Sequence, residues 1–226
     1  MTPTLPLDQS LAKRRRSARV ILKRLHQRYP EMKTALDFQS PWELLVSTVL
    51  SAQTTDENVN RVTPVLFEKW PTPEDLAMAD PEAVEEVVYS TGFYRQKTKS
   101  LLALAADIVD KFGGEVPRDL DAMTTLRGVG RKTASVVLAE VWDDPAIAVD
   151  THVNRVARRL GLTANSDPNK IEADLKELYL KKTWSGLSMR FIQFGREVCD
   201  ARLPRCWECP LRDRCPYEDK SRRPTR

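Results

Sequence analysis

Four cysteines stand at Cys199, Cys206, Cys209 and Cys215, and the chain has no others. Gaps of six, two and five residues let one short loop wrap all four thiolates around a single inorganic centre. Two disulfides crowded into these 17 residues would staple one tail and leave the rest of the chain unaided. The composition is also not that of a small secreted domain. Zinc suits four thiolates, but its ribbons usually present two C-x-x-C knuckles, and only Cys206–Cys209 forms one here. An iron–sulfur cluster fits the uneven spacing at least as well. A second loaded stretch is LRGVGRKTA, from Leu126 to Ala134. Gly128 and Gly130 let another chain approach the backbone closely. The amides of such a turn, with the helix N-terminus after it, can receive a phosphate without reading its base. An ordinary glycine-containing helix connection is the plainer alternative.

These residues have to be carried by helices. Ser40-Pro41-Trp42-Glu43 reads as an N-cap, a proline at the first helical position and a reciprocal glutamate. Thr55 can cap a helix bearing Val59, Val62 and Leu66, and Asp80-Pro81 starts another. Gly92 interrupts the pattern. Residues 95–112 place Leu101, Leu104, Ala105 and Ile108 on one face and end at Gly113-Gly114. Helical signals return at 131–142, 151–160, 168–180 and 184–198. No window combines strict alternation with β-branched enrichment, so the fold class is all-α, with roughly ten helices.

Length and charge bound the function. The 226 residues suffice for one large core or two modest ones. No run of 18 apolar residues spans a membrane. The opening MTPTLPLDQSLAKRRR lacks a secretory apolar segment, and Asp8 argues against a transit peptide. A reducing cytoplasm, where thiolates stay free to hold metal, is the expected compartment. Residues 13–28 carry eight Lys or Arg and no acid, and residues 201–226 carry eight basic against four acidic side chains. Clustered cations at both ends point to a polyanion, with solvated basic segments as the plainer reading.

Taken together, LRGVGRKTA, VDTHVNRVARRLGL and C-x6-C-x2-C-x5-C resemble the endonuclease III family of DNA glycosylases, and LLVSTVLSAQTTDENVN at 44–60 is similar to the segment that family places near the lesion. The resemblance runs from about residue 17 to residue 217. It implies a helix–hairpin–helix, base-excision repair enzyme. A six-helix barrel domain would occupy 34–144, a discontinuous cluster domain 1–33 and 145–226, and damaged double-stranded DNA the cleft between them. The cysteines would hold one 4Fe-4S cluster, and the enzyme would act as a monomer on the bacterial nucleoid.

Residue by residue, the resemblance makes Lys132 the nucleophile that attacks C1′ and forms a Schiff base. Asp150 becomes the carboxylate that stabilises charge on the sugar and helps activate the lysine, although an Asp before a helix is also an ordinary N-cap. His152 follows the same pattern, with a structural hydrogen bond as the competing role. Gln53 matches an intercalating glutamine. Phe93 stands where the family inserts an apolar wedge, often aliphatic, with a plain core residue as its alternative. Arg127, Gly128, Val129, Gly130, Arg131 and Thr133 would meet the DNA backbone, as would Arg202, Arg205, Arg212 and Arg214. Arg127 departs from the family, which usually has proline there. The resemblance favours removal of oxidised pyrimidines. A monofunctional relative such as the adenine glycosylase, which lacks lysine at position 132, is one alternative. A non-catalytic iron–sulfur DNA-binding module is the other.

Overall fold

Short polar side chains open most of the helices. In the computed structural model, which describes residues 11–184 and 186–223, Ser40 Oγ accepts the Glu43 amide at 3.1 Å and starts α2 (Pro41–Leu50). The Glu43 carboxylate reaches back to the amide of Gln39 at 2.7 Å, one residue earlier than a reciprocal capping box would have it. Thr55 caps α3 (Asp56–Lys69), and Thr72 and Asp75 form a complete capping box on α4 (Pro73–Ala77). The next helix, α5 (Pro81–Val88), leads through a 3-10 turn, Tyr89–Thr91, to α6 (Tyr94–Phe112). Gly113 and Gly114, at φ 61° and 88°, end α6 by returning their amides to Val109 and Ile108. The short α7 (Leu120–Thr124) and then α8 (Arg131–Trp142) follow. The chain continues through α9 (Thr151–Arg159), α10 (Pro168–Leu178), a 3-10 turn at Lys181–Thr183, and α11 (Leu187–Glu197). The first helix, α1, is Leu11–Arg28. Among the described residues there is no strand, and none of the helices is long and apolar enough to cross a membrane. Residues 1–10, where no secretory segment is expected, lie outside the described residues, as do Ser185 and the last three residues of the basic tail.

The chain divides into two units. Thr34–Asp144 forms one, and the described parts of Met1–Lys33 and Pro145–Arg226 form the other. Seven α-helices, two of only five residues, occupy the segment for which six are expected. At the centre of this unit α2 buries Trp42, Leu44, Leu45, Val46 and Leu50, so nearly its whole circumference faces protein. It packs on α3, α6 and α8. Met123, Leu126 and Val129 join the same core, which ties the chain before α8 to the body of the unit. In the second unit Ala18, Ile21 and Leu25 make a stripe on α1 that packs with Val153, Val156, Ile171, Leu175, Phe191 and Phe194. That stripe recurs at helical spacing, so one face of α1 is apolar and the other carries the cations.

Candidate active site

The turn between α7 and α8 is anchored from beneath. Leu126 and Val129 are buried, and the Val129 amide donates to Leu126 O at 3.1 Å. Val129 therefore helps to hold the turn in the core with both its side chain and its N–H. The two glycines differ in kind. Gly128 has φ 81°, a left-handed angle that side chains resist. Gly130 has φ −85°, and an added Cβ there would meet nothing within 4 Å. Neither backbone angle nor packing requires glycine at 130, and its lack of a side chain keeps an approach to the backbone open. No side chain caps α8 at Gly130. Arg131 and Lys132 are exposed on its first turn, and Thr133 is half-buried.

Arg127 is held by Asp107 of α6. Its Nε and Nη2 each lie 3.0 Å from a different carboxylate oxygen, and its own amide donates to Oδ2 at 2.8 Å. Lys111 Nζ adds a contact to Oδ1 at 3.0 Å. The Arg127 hydrogen bonds, outweighing burial, hold the Asp107 carboxyl far below the usual carboxylate range. A proline at 127 would have no amide to give, so the departure from the family supplies a donor that the buried carboxylate uses.

Asp150 caps α9. Its Oδ1 accepts the amides of His152 and Val153, each at 2.8 Å, while Oδ2 lies 3.2 Å from His152 Nδ1. Carboxylate and imidazole are thus locked to each other and to the helix end, so the structural roles weighed for both residues are present in the fold. The pair remains partly open to solvent, with side-chain exposures of 14% and 29%.

Two turns of the Thr34–Asp144 unit present Gln53 and Phe93. Both residues are exposed, and both hold left-handed angles, φ 56° and 48°. Such angles are uncommon outside glycine and mark constrained positions. Phe93 is 67% exposed, which removes the core-residue alternative. Asn58 joins the two turns. Its Nδ2 lies 3.2 Å from Thr54 Oγ1 and 2.9 Å from Ser90 O. Beneath the second turn, the buried Lys97 ammonium donates to Thr91 O at 2.7 Å.

The cysteine loop is organised by two arginines of α9. Arg155 donates to Cys199 O and Gly195 O, at 3.0 and 3.1 Å. Arg159 reaches Asp200 O and Ala201 O, at 2.6 and 2.9 Å, and lies 3.5 Å from Cys199 Sγ. The Leu211 amide lies 3.4 Å from Cys209 Sγ. Cys199, Cys209 and Cys215 pack against one apolar core, and burial pushes their thiols up, that of Cys209 to about 11. Neighbouring cysteines add to the upward shifts of Cys199, Cys209 and Cys215, yet among the described residues no three His, Cys, Asp or Glu converge as ligands of one metal ion. Arg205 donates to Glu197 O and pairs with Glu208 at 3.1 Å. Arg212 donates to Cys206 O, and Arg214 pairs with Asp213. These three arginines thus bond within the loop while their side chains stay partly exposed. For the exposed Arg202 side chain no such bond is found among the described residues.

Residues 46–181 match the HhH-GPD superfamily of base excision DNA repair proteins. The endonuclease III of Synechocystis sp. is 46% identical over 216 residues, covering 95% of this chain and 99% of that protein. The chain belongs to the endonuclease III family. A non-covalent endonuclease III–DNA complex matches at TM-score 0.85 and 42% identity, over 90% of this chain and 95% of that one. A trapped endonuclease III–DNA covalent intermediate, an estranged-adenine complex, matches at the same score and identity, over 90% and 96%.

Within this member of the endonuclease III family, Asp107, Asn58, Arg155 and Arg159 carry no signal of these roles in the sequence motifs. Each acts through a bond to a residue distant in sequence or to main-chain atoms, which no motif records. Two outcomes follow from the hairpin. Gly128→Ala is expected to lower stability by about 1–2 kcal/mol, because the native angle there is strained for alanine. Gly130→Ala should shift it by less than about 0.5 kcal/mol yet weaken binding to an abasic-site duplex; urea unfolding and fluorescence anisotropy separate the two effects. The depressed Asp107 carboxyl stabilises the fold above its unfolded value of about 3.9, and that contribution is lost as pH falls towards its folded value. The stability gap between wild type and Asp107→Asn should therefore shrink as pH drops from about 5 to about 2.

Proposed function

We propose that this chain is a bifunctional DNA glycosylase and abasic-site lyase that removes oxidised pyrimidines from duplex DNA, with Lys132 as its nucleophile and Asp150 as the assisting carboxylate. The observation that carries this reading is the likeness to an endonuclease III trapped covalently on DNA, together with a lysine at the position where the family motif requires one.

The neutral Lys132 amine attacks C1′, and the bond from C1′ to the base breaks with its electron pair going to the base. Opening of the sugar leaves an imine between Nζ and C1′. Loss of the C2′ proton then expels the 3′ phosphate by β-elimination, and water releases the lysine. Asp150 keeps Oδ2 turned away from the two capping amides on Oδ1. Its negative charge stabilises the cationic sugar as the base departs. His152 Nδ1, 3.2 Å from Oδ2, orients that oxygen.

The target nucleotide must leave the stack, which costs a few kcal/mol and less at a damaged base. Exposed Gln53 and Phe93, on turns joined by Asn58, are fitted to fill the gap. Gly128, Gly130, Arg131 and Thr133 would receive a phosphate at the start of α8. Arg127 lies beside them with its charge directed to Asp107, and Arg202 is the loop arginine open to a second phosphate. Thr34–Asp144 would be the barrel domain, and the other unit the cluster domain. Action as a monomer in the cytoplasm, on nucleoid DNA, fits this reading.

A 4Fe-4S cluster on Cys199, Cys206, Cys209 and Cys215 fits the donor set. All four thiols are partly buried, Cys199 lies beside the Arg155 and Arg159 guanidiniums, and N–H groups are directed at two of the sulfurs. Four thiolates are the donor set that such a cluster would take. Bound there, it would keep the thiolates deprotonated and fix the loop.

Borohydride trapping on a duplex with one thymine glycol tests the lysine. Wild type should give a covalent adduct and Lys132→Ala none; base release without an adduct from either protein would make the enzyme monofunctional. Cys209→Ser should lose the visible iron–sulfur absorption and bind duplex more weakly. Unchanged absorption would remove Cys209 from the ligand set.

A further inference from the structure

Four of the eight Lys and Arg side chains of α1 are engaged, and the other four, Lys13, Arg16, Arg19 and Lys23, are exposed. Arg14, Arg15, Arg24 and Arg28 are bonded within their own unit, to Leu162 O, Glu177 O, Asp213 and Glu197 respectively. Arg19 and Lys23 are exposed, and no hydrogen bond or ion pair engages them among the described residues. The structural task of the first group does not account for the second. Arg19, Lys23 and His26 recur at helical spacing on one face of α1.

That face borders a cavity of about 600 Å3, lined by Arg19, Lys23, His26, Lys182 and Arg190 and by no Asp or Glu among the described residues. The size is that of small-ligand sites. All of these residues belong to one unit, and the lining includes neither Lys132, Asp150 nor any cysteine. Arg190 is 94% buried, judged by its 6% relative exposure. Its Nε and Nη2 donate to Tyr29 O and Pro30 O, at 2.9 and 2.7 Å. Nη1 packs over Gly186, where an added Cβ would lie 2.5 Å away, so the glycine makes room for the guanidinium. No carboxylate pairs with Arg190 among the described residues, and burial pushes its pKa down. Backbone carbonyls satisfy two of its donors but leave its charge without a counter-ion. A buried cation in this state gains from an incoming anion, and three further cations around the mouth would concentrate one.

We propose that this cavity binds a phosphate group, through Arg190 at its base and Arg19, Lys23 and Lys182 at its rim. The group comes either from a free phosphate compound or from a nucleic-acid backbone, and the two arms of one experiment separate these sources. Lys23→Ala/Lys182→Ala removes two exposed rim charges without touching the buried arginine. Lys33→Ala/Lys170→Ala removes equal charge outside the cavity and serves as control. In the first arm, inorganic phosphate is titrated into each holoprotein at constant ionic strength and read by thermal unfolding and calorimetry. In the second, an undamaged duplex is titrated at several salt concentrations.

Phosphate binding by wild type and control, weakened about tenfold in the cavity variant, establishes the site. If that variant also binds duplex more weakly than the control, with a salt slope lower by one or two, the natural source is a nucleic-acid backbone. Unchanged duplex binding assigns the site to a free phosphate compound. Loss in the duplex arm alone, relative to control, establishes a backbone-phosphate site too weak for the free ion. A cavity variant that matches the control in both arms overturns the proposal.

Discussion

An α-helix leaves its first amides without partners, and this chain is arranged around how each helix start resolves that constraint. Ser40, Thr55, Thr72, Asp119, Asp150 and Asp167 all resolve it with a side-chain oxygen. The starts of α5, α6, α8 and α11 have no such cap, and that of α8 carries two glycines, Gly128 and Gly130. A cap and a site are alternative uses of the same donors. Where a carboxylate already occupies them, as at α9, its second oxygen is left to the surroundings, while an uncapped start can take an anion from outside. The candidate chemistry rests on one helix of each kind.

An uncapped turn needs support from elsewhere. Here Leu126 and Val129 hold it from the core, and Asp107 grips Arg127 by both side chain and amide. Proline would restrict the backbone by its ring. This chain restricts it with a bidentate ion pair, which adds a geometric lock of the kind arginine makes best. The cost is a buried carboxylate that depends on its partners, so the turn is tied to α6 by electrostatics as well as by packing.

Much of this was legible where the determinant is local. Capping signatures span three residues, so the starts of α2, α3 and α9 could be read directly, and Gly113-Gly114 marked the end of α6. The motifs that carry the family likeness were equally readable because the residues of each lie close together in sequence. What escaped the sequence depends on partners brought together by folding. Asp107 and Arg127 are 20 residues apart, and Arg159 meets the backbone of a loop some 40 residues on. The basic segments show the same limit: a row of arginines looks uniform until carbonyls of distant segments take Arg14 and Arg15, and partners within the loop take Arg205 and Arg212. Phe93 shows the converse. Its type allowed a wedge or a core position, and its backbone angle and exposure exclude the core.

The unit that contains the cysteines is built from both ends of the chain, and this orders events at the ribosome. Its first helix, α1, emerges early, but Arg190, which bonds the backbone at Tyr29, lies 161 residues later. At ordinary synthesis rates that interval is roughly ten to thirty seconds. Thr34–Asp144 has its own core and can fold in the meantime. A polypeptide released before Pro145 carries the Lys132 hairpin but neither Asp150 nor any cysteine. The nascent chain thus holds its hairpin, on a core already made, before the closing half of the other unit leaves the ribosome.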